Sequence, residues 1–290
     1  MHRSVSQITS YNQCSMQYAL QRVLKVPERP AWWNVGGSAV HRVIETYETE
    51  RAQGEVLTPM HLSLLFVEEF RLGISLAEEI EPDKSKWRAA RSGKENGQWW
   101  LTSGPYQCRR YAEREAEREF EVWRLEDGTP ALELEYSLDV EGVEVKGFID
   151  AIFRYPNGDP LIRDVKSGGR KPDDTFQLGV YGHAANRCFG IPVRFAEFYM
   201  TRDGISGRPG GSLGHVDVMA DHPWESVVYQ TLTMDRGERA GLYPAKPSSL
   251  CSSCGVLSAC PVKGGTAEAR QNFHKILSAG LDRDAPTSSL

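Results

Sequence analysis

No part of the chain approaches the run of about 18 to 20 apolar residues that a membrane-crossing helix requires. The opening Met1-His-Arg-Ser-Val-Ser-Gln-Ile-Thr-Ser10 lacks the apolar core of a secretory signal. The expected setting is the cytoplasm, with no membrane partner. Internal repeats are absent, and so are low-complexity linkers apart from a polar tail after Gly280. A Gly-x-x-x-x-Gly-Lys-Ser/Thr loop is also missing, so any nucleotide-driven motion would come from a partner. Charge of one sign is not in excess: 34 Lys and Arg face 39 Asp and Glu, a net −5 that advertises no polyanion partner for the molecule as a whole. Cysteine is scarce, at six in 290 residues, which excludes a disulfide scaffold. A chain of this length buries roughly three quarters of its unfolded surface and needs no staples.

What is present begins with helical periodicity. Residues 6–24 read as a helix with Ile8, Tyr11, Ser15 and Tyr18 on one stripe. Gly36-Gly37-Ser38 is read as the opening of a second helix, in which Ala39, Val40, Val43, Ile44 and Tyr47 keep the i, i+3, i+4, i+7 pattern. Thr58-Pro59 suits an N-cap and first-turn proline before an apolar helix to about Ile80. Gly104-Pro105 is expected to punctuate the next region, and Tyr106 to Leu125 reads as an exposed helix laced with Arg–Glu pairs. Near residue 131 the period falls to two. Leu132, Leu134, Tyr136, Leu138 and Val140 alternate with Glu133, Glu135, Ser137, Asp139 and Glu141, the pattern of a half-buried strand. Gly142 turns into a strand to about Tyr155, Asn157-Gly158 turns into another over 161–166, and a helix follows, capped by Asp173 or Asp174 and reaching Phe189. Strands near 193–200 and 214–219 and a helix over 223–240 complete an α/β sandwich with a mixed sheet.

The chemistry concentrates on the strands. Asp164-Val165-Lys166 places a carboxylate and an ammonium on one strand face, where the first can hold a divalent cation and the second can steady a water or a phosphoryl charge. About one such triplet is expected by chance in a chain this size, and Glu144-Val-Lys146 is a rival. Asp150, set among Phe148, Ile149, Ala151 and Ile152, needs a partner or a metal to be tolerated there. A strict two-residue turn at Asn157-Gly158 would set Asp150 opposite Val165, on the wrong face; one residue of register shift is required to join it to Asp164. Gln177 and Tyr181 share a helix face at i, i+4, as do His41 and Glu45. Two basic stretches stand out: Lys84 to Lys94, which includes Trp87 and no acid, and Arg163 to Lys171.

Six segments in order resemble the PD-(D/E)XK nuclease superfamily, in its RecB-like branch with an iron–sulfur cluster, which includes CRISPR-associated adaptation nucleases and AddB-type nuclease domains. They are Ser4-Val-Ser-Gln-Ile-Thr-Ser-Tyr11-Asn-Gln-Cys14, Gly37-Ser-Ala-Val-His41, Gly147-Phe-Ile-Asp150, Asp164-Val-Lys166, Gln177-Leu-Gly-Val-Tyr181 and the C-terminal cysteines. Ser15 departs from the proline often found after the first cysteine. The resemblance implies a restriction-endonuclease-like core with a central mixed sheet flanked by helices, an N-terminal helical region and a C-terminal iron–sulfur segment. It further implies that His41, Asp150, Asp164 and the Val165 carbonyl hold Mg²⁺ or Mn²⁺, that Lys166 assists the attacking water, and that Gln177 and Tyr181 form the motif that follows. The corresponding layout is one nuclease domain over 1–265, with an N-terminal cysteine helix (1–30), a helical region (31–130), a nuclease core (131–245) and a cluster segment (246–265), followed by a tail over 266–290.

Cys251-x-x-Cys254-x5-Cys260-Pro261 offers one knuckle where a zinc ribbon has two, and three thiolates leave a cubane one ligand short. Spacing alone leaves Cys14, Cys108 and Cys188 open as the fourth; the resemblance selects Cys14 and a structural [4Fe–4S] cluster, leaving Cys108 and Cys188 as buried small hydrophobes. The function expected is metal-dependent exonucleolytic hydrolysis of DNA, from single-stranded ends, beside a helicase or a recombination or adaptation partner. Trp87 and its basic neighbours would add phosphate contacts and a stacking ring. The alternative is a DNA-binding adaptor with the same cluster and a weak or unused nuclease centre.

Overall fold

Ser4 caps the first helix through a reciprocal pair with Gln7, each side chain bonding the other's backbone N–H. The computed structural model describes residues 2–203 and 210–281. Helix α1 (Val5–Tyr18) passes into a π-helical turn (Ala19–Val23), and its backbone is extended at Cys14, which interrupts the expected continuous helix. There follow α2 (Trp32–Ala52), α3 (Pro59–Glu78), α4 (Gly97–Glu115), β1 (Glu121–Val122), β2 (Leu132–Val140), β3 (Val143–Arg154) and β4 (Pro160–Lys166). The order then runs α5 (Phe176–Phe189), β5 (Phe195–Met200), β6 (Gly211–Asp217), α6 (Val218–Asp221), α7 (Trp224–Arg239) and α8 (Ala267–Leu281). Part of the segment assigned to the tail is therefore helical. The mixed sheet has the order β1-β3-β4-β5-β6, with β2 also on β3; β1–β3, β3–β4 and β5–β6 pair antiparallel, β4–β5 pair parallel, and α5 makes that crossover.

The described residues form two compact units. One comprises residues 1–29, 139–145 and 225–290, the other 30–138 and 146–224. In the first, the buried Arg3 guanidinium bonds Asp235 at 2.6 Å and Glu238 at 2.5 Å, and Tyr18 donates to Glu238 at 2.6 Å. These contacts tie the N-terminus to α7.

In the second unit, α2, α3 and α4 pack around Phe66, Phe70, Trp100 and Tyr111, joined by Val165 of β4 and Tyr199 of β5. Three expectations change here. Helix α2 starts at Trp32, not at Gly36-Gly37, and the glycines serve close approach inside it: a Cβ on Gly36 would lie 2.1 Å from the Trp100 ring. Helix α4 runs through Gly104-Pro105, because buried residues on both sides, Trp100 and Tyr111, outweigh the lost backbone bond. The helix also stops at Glu115 rather than near 125, and its last charges turn inward. Arg118 bonds Glu48 at 2.7 Å, while Arg163 bonds Glu115 at 2.7 Å and Glu197 at 2.6 Å, and Tyr111 donates to Glu48 at 2.7 Å. This buried network joins α2, α4, β4 and β5, and each carboxylate in it meets a guanidinium.

The expected stacking ring is a core residue: Trp87 is buried against Trp32, ring centroids 4.6 Å apart, and donates to the Glu81 carbonyl. Its basic neighbours are drawn into pairs, Lys84 with Glu78, Lys86 with Glu81 and Arg91 with Glu95. Cys108 is buried as expected, but Cys188 is exposed at the end of α5, its thiol directed to the Ser137 carbonyl.

Replacing Gly36 with alanine tests the close approach. Helix propensity alone would favour alanine by about 1 kcal/mol, but the clash with Trp100 dominates, and urea denaturation should show a net loss of about 2 kcal/mol. A gain in stability would contradict the packing described.

Candidate active site

The decisive local feature is the loop between β3 and β4. Tyr155 donates to the Asp159 carbonyl at 3.0 Å and Gly158 to the Tyr155 carbonyl at 2.8 Å, so three residues, Pro156 to Gly158, make the turn, with Gly158 at φ +91°. The resulting register pairs Ala151 with Arg163 and Ile152 with Ile162. One step further along, Asp150 stands level with Asp164 on a shared face, which is the one-residue shift the sequence required. There the ladder gives way: the Val165 N–H donates to Asp150 Oδ2 at 3.0 Å.

Asp164 is 1% exposed, and neither of its carboxylate oxygens has a hydrogen-bond partner. The Lys166 ammonium lies 2.5 Å from Asp164 Oδ2, so this oxygen is met by a positive charge while Oδ1 is met by none. Lys166 itself donates to Gln177 Oε1 at 3.1 Å, and Gln177 Nε2 donates to the Tyr181 hydroxyl at 2.7 Å. The amide is thereby fixed in one orientation, its oxygen toward the ammonium. His41 comes from α2, its Nδ1 3.7 Å from Asp150 Oδ2. Gly37, one turn earlier, lets the helix pass close to Ser167, where a Cβ would stand 3.0 Å from the hydroxyl. All seven residues expected at the site thus fall in one connected group, with Val165 entering through its backbone.

The group opens on a cleft of about 740 Å³, whose walls include Trp33, Arg42, Glu45, Glu133 and Phe148. Glu133 is not among the residues expected at the site. Its φ of +42° at the start of β2 breaks the alternation and turns the side chain toward the cleft, and nothing in the sequence signals this. Burial, reinforced by Glu45 and Asp164, raises its pKa. Burial likewise pushes Asp150 up to about 6 and, with the neighbouring Asp150 charge adding to it, Asp164 up to about 7, in both cases against the pull of Lys166. Desolvation lowers the pKa of His41 and favours the neutral imidazole, the form that binds metals.

The buried Asp164 carboxylate and a second carboxylate are hard oxygen donors that fit Mg²⁺ or Mn²⁺, and the neutral imidazole adds a borderline nitrogen compatible with Mn²⁺. Among the described residues, no group of three or more His, Cys, Asp or Glu side chains stands ready-made to hold a metal ion. The four cysteines of the first unit behave alike. Cys14, Cys251, Cys254 and Cys260 line one pocket with Lys246, the extended backbone at Cys14 breaks the helix at the residue that lines this pocket, and the Ser248 N–H reaches Cys251 Sγ at 3.4 Å. Their residue types and common pocket suit a cluster, although the thiols do not stand in a closed cage.

The sequence profile of the PD-(D/E)XK nuclease superfamily matches residues 2–261. The chain belongs to that superfamily. Asp150 and Asp164-Val165-Lys166, the acid and the acid-x-lysine expected from the sequence, lie within the matched residues. The Gene 69 protein of Mycobacterium phage D29 is 31% identical over 279 residues, covering 90% of this chain and 96% of its own length. The Gene 69 protein of Mycobacterium phage L5 is 29% identical at the same coverage. The crystal structure of SSO0001 aligns over 86% of this chain at 13% identity, with a TM-score of 0.34 that is too low to support structural inference. Among the described residues of this PD-(D/E)XK protein, no helix is long and apolar enough to cross a membrane.

The raised carboxylates have a consequence for stability. Their folded pKa values lie above the unfolded one near 4, so between about pH 4 and 7 the folded state holds more protons and metal-free stability falls as pH rises. His41, shifted down, has the opposite slope and partly offsets this. In EDTA, Asp164→Asn should be more stable than wild type at pH 8 by about 1–3 kcal/mol, with the difference vanishing near pH 4. Mg²⁺ at pH 8 should raise the melting temperature of wild type and leave Asp164→Asn unchanged. A mutant less stable than wild type at pH 8 in EDTA would contradict the assignment.

Proposed function

We propose that the chain is a metal-dependent deoxyribonuclease that shortens single-stranded DNA from its ends and carries a structural [4Fe–4S] cluster. Membership of the PD-(D/E)XK superfamily supports phosphodiester hydrolysis. The observation that carries the site assignment is Asp164, buried with both oxygens lacking a donor, beside Asp150 and Lys166. Such a carboxylate is costly to keep unless a cation completes it.

In this reading His41, Asp150, Asp164 and the Val165 carbonyl hold Mg²⁺ or Mn²⁺. A divalent cation bound there supplies polarisation of the scissile phosphoryl group and a water acidic enough to attack near neutral pH. Lys166 holds the attacking water and offsets the negative charge that builds on the phosphoryl oxygens. Gln177 keeps the ammonium in line through its oxygen, and Tyr181 fixes Gln177. The Tyr181 hydroxyl, its pKa raised by burial and by the two aspartates, stays protonated throughout. Val165 positions Asp150 through its N–H, so backbone and ligand act together.

Cys14, Cys251, Cys254 and Cys260 hold the cluster, which fastens α1 to the segment before α8 within the first unit. Residues 1–265 are proposed as the working nuclease and 266–290 as an appendage to it. Unwound ends would come from a helicase or a recombination or adaptation partner, because the chain lacks a Walker loop.

Anaerobically purified protein should digest single-stranded DNA in Mn²⁺, and Asp164→Ala should lose at least about 100-fold in rate while keeping its iron and sulfide. Cys14→Ser should lose iron and thermal stability. Iron-loaded wild type without cleavage would contradict the nuclease reading and favour the adaptor; equal cleavage by Asp164→Ala would place the chemistry elsewhere.

A further inference from the structure

Phe148 is 50% exposed on β3, whereas the next residue, Ile149, is fully buried. Alternation along the strand sets Phe148 on the same face as Asp150, about 6.6 Å upstream along the backbone. Its ring lines the candidate active-site cleft, whose walls are otherwise largely polar around Asn34, Ser38 and Arg42. Half of this apolar ring is exposed, and Phe148 is not among the residues of the hydrophobic cluster built around α2, α3 and α4. A second ring, Trp33 at the start of α2, lines the same cleft half-buried, with the Arg88 guanidinium 5.0 Å from its centroid. That guanidinium holds the indole in place.

We propose that Phe148 and Trp33 form a base-stacking platform that draws unpaired bases into the cleft and sets the preference for single-stranded DNA. The physical ground is that a base inside a duplex has both faces covered, and even a terminal pair cannot turn a base out onto a ring in the cleft without breaking its pairing, whereas an unpaired base can. Stacking is also indifferent to base identity, as a nuclease that degrades any strand requires. Phe148 lies two residues from the proposed metal ligand Asp150, so the base it takes belongs to a nucleotide next to the scissile phosphate. The proposal rests on the nuclease reading for the identity of its substrate, and it adds the residues that select it.

The test uses the full-length protein in Mn²⁺ with three substrates of one sequence: a single strand, the same strand with abasic sites in its terminal nucleotides, and a blunt duplex. For Phe148→Ala, KM on the single strand should rise about tenfold or more with kcat within about twofold, and Phe148→Trp should restore it. On the abasic strand and the duplex, wild type and Phe148→Ala should be alike. An unchanged melting temperature would show that the exposed ring is not needed for folding. Equal KM for wild type and Phe148→Ala on the single strand, or a loss of the same size on all three substrates, would overturn the platform. Binding of the single strand is measured in parallel in Ca²⁺. Wild type that binds but does not cleave, with binding lost in Phe148→Ala, would keep the platform and reject the nuclease reading. Wild type that does not bind would reject the platform.

Discussion

Placing a carboxylate in the protein interior without a hydrogen-bond donor costs several kcal/mol unless charge arrives to compensate it. Asp164 is in that position, with both oxygens shielded from solvent and without a donor. Lys166 supplies one positive charge at close range, but Asp150 adds a second negative charge to the same small volume. The account of the site follows from this imbalance: burial and mutual repulsion raise both aspartates, and a divalent cation is the species that resolves the conflict. A rigid, strongly bound strand is needed to keep such a residue in place.

Two arrangements provide that rigidity. The three-residue loop at Pro156 to Gly158 sets the register that brings the two aspartates level. On the opposite face of β4, Arg163 is locked between Glu115 and Glu197, and Val165 packs into the core with Tyr199. Alternation along a single strand therefore places the anchoring residues on one side and the reacting ones on the other. The charged network is a local conflict settled within the fold, whereas Asp164 is one left open at a site of function.

Much of this was legible in the sequence. The change of period near residue 131 located the strands, Thr58-Pro59 marked the start of α3, and the i, i+4 spacing of Gln177 and Tyr181 placed both on the helix face that meets Lys166. The side of the sheet that Asp150 faces depended on one residue of loop, which sequence could state as a condition but not resolve. The misreadings of the helices and of Trp87 share a cause: tertiary packing overrode local signals. Gly36 and Pro105 look like punctuation in sequence but sit inside helices held by Trp100 and Tyr111. Arg118 and Trp87 look solvent-facing by charge and context but are buried with partners. Glu133 reached the cleft through a positive φ that alternation cannot foresee.

The central claim is that a cation completes Asp164, and the most direct measurement is an anomalous difference map from crystals grown with Mn²⁺ and a non-hydrolysed single strand. The account predicts a peak in contact with the Asp150 and Asp164 carboxylates and the His41 imidazole, with Lys166 directed at the adjoining phosphate. Density elsewhere, or no peak at these carboxylates, would contradict it.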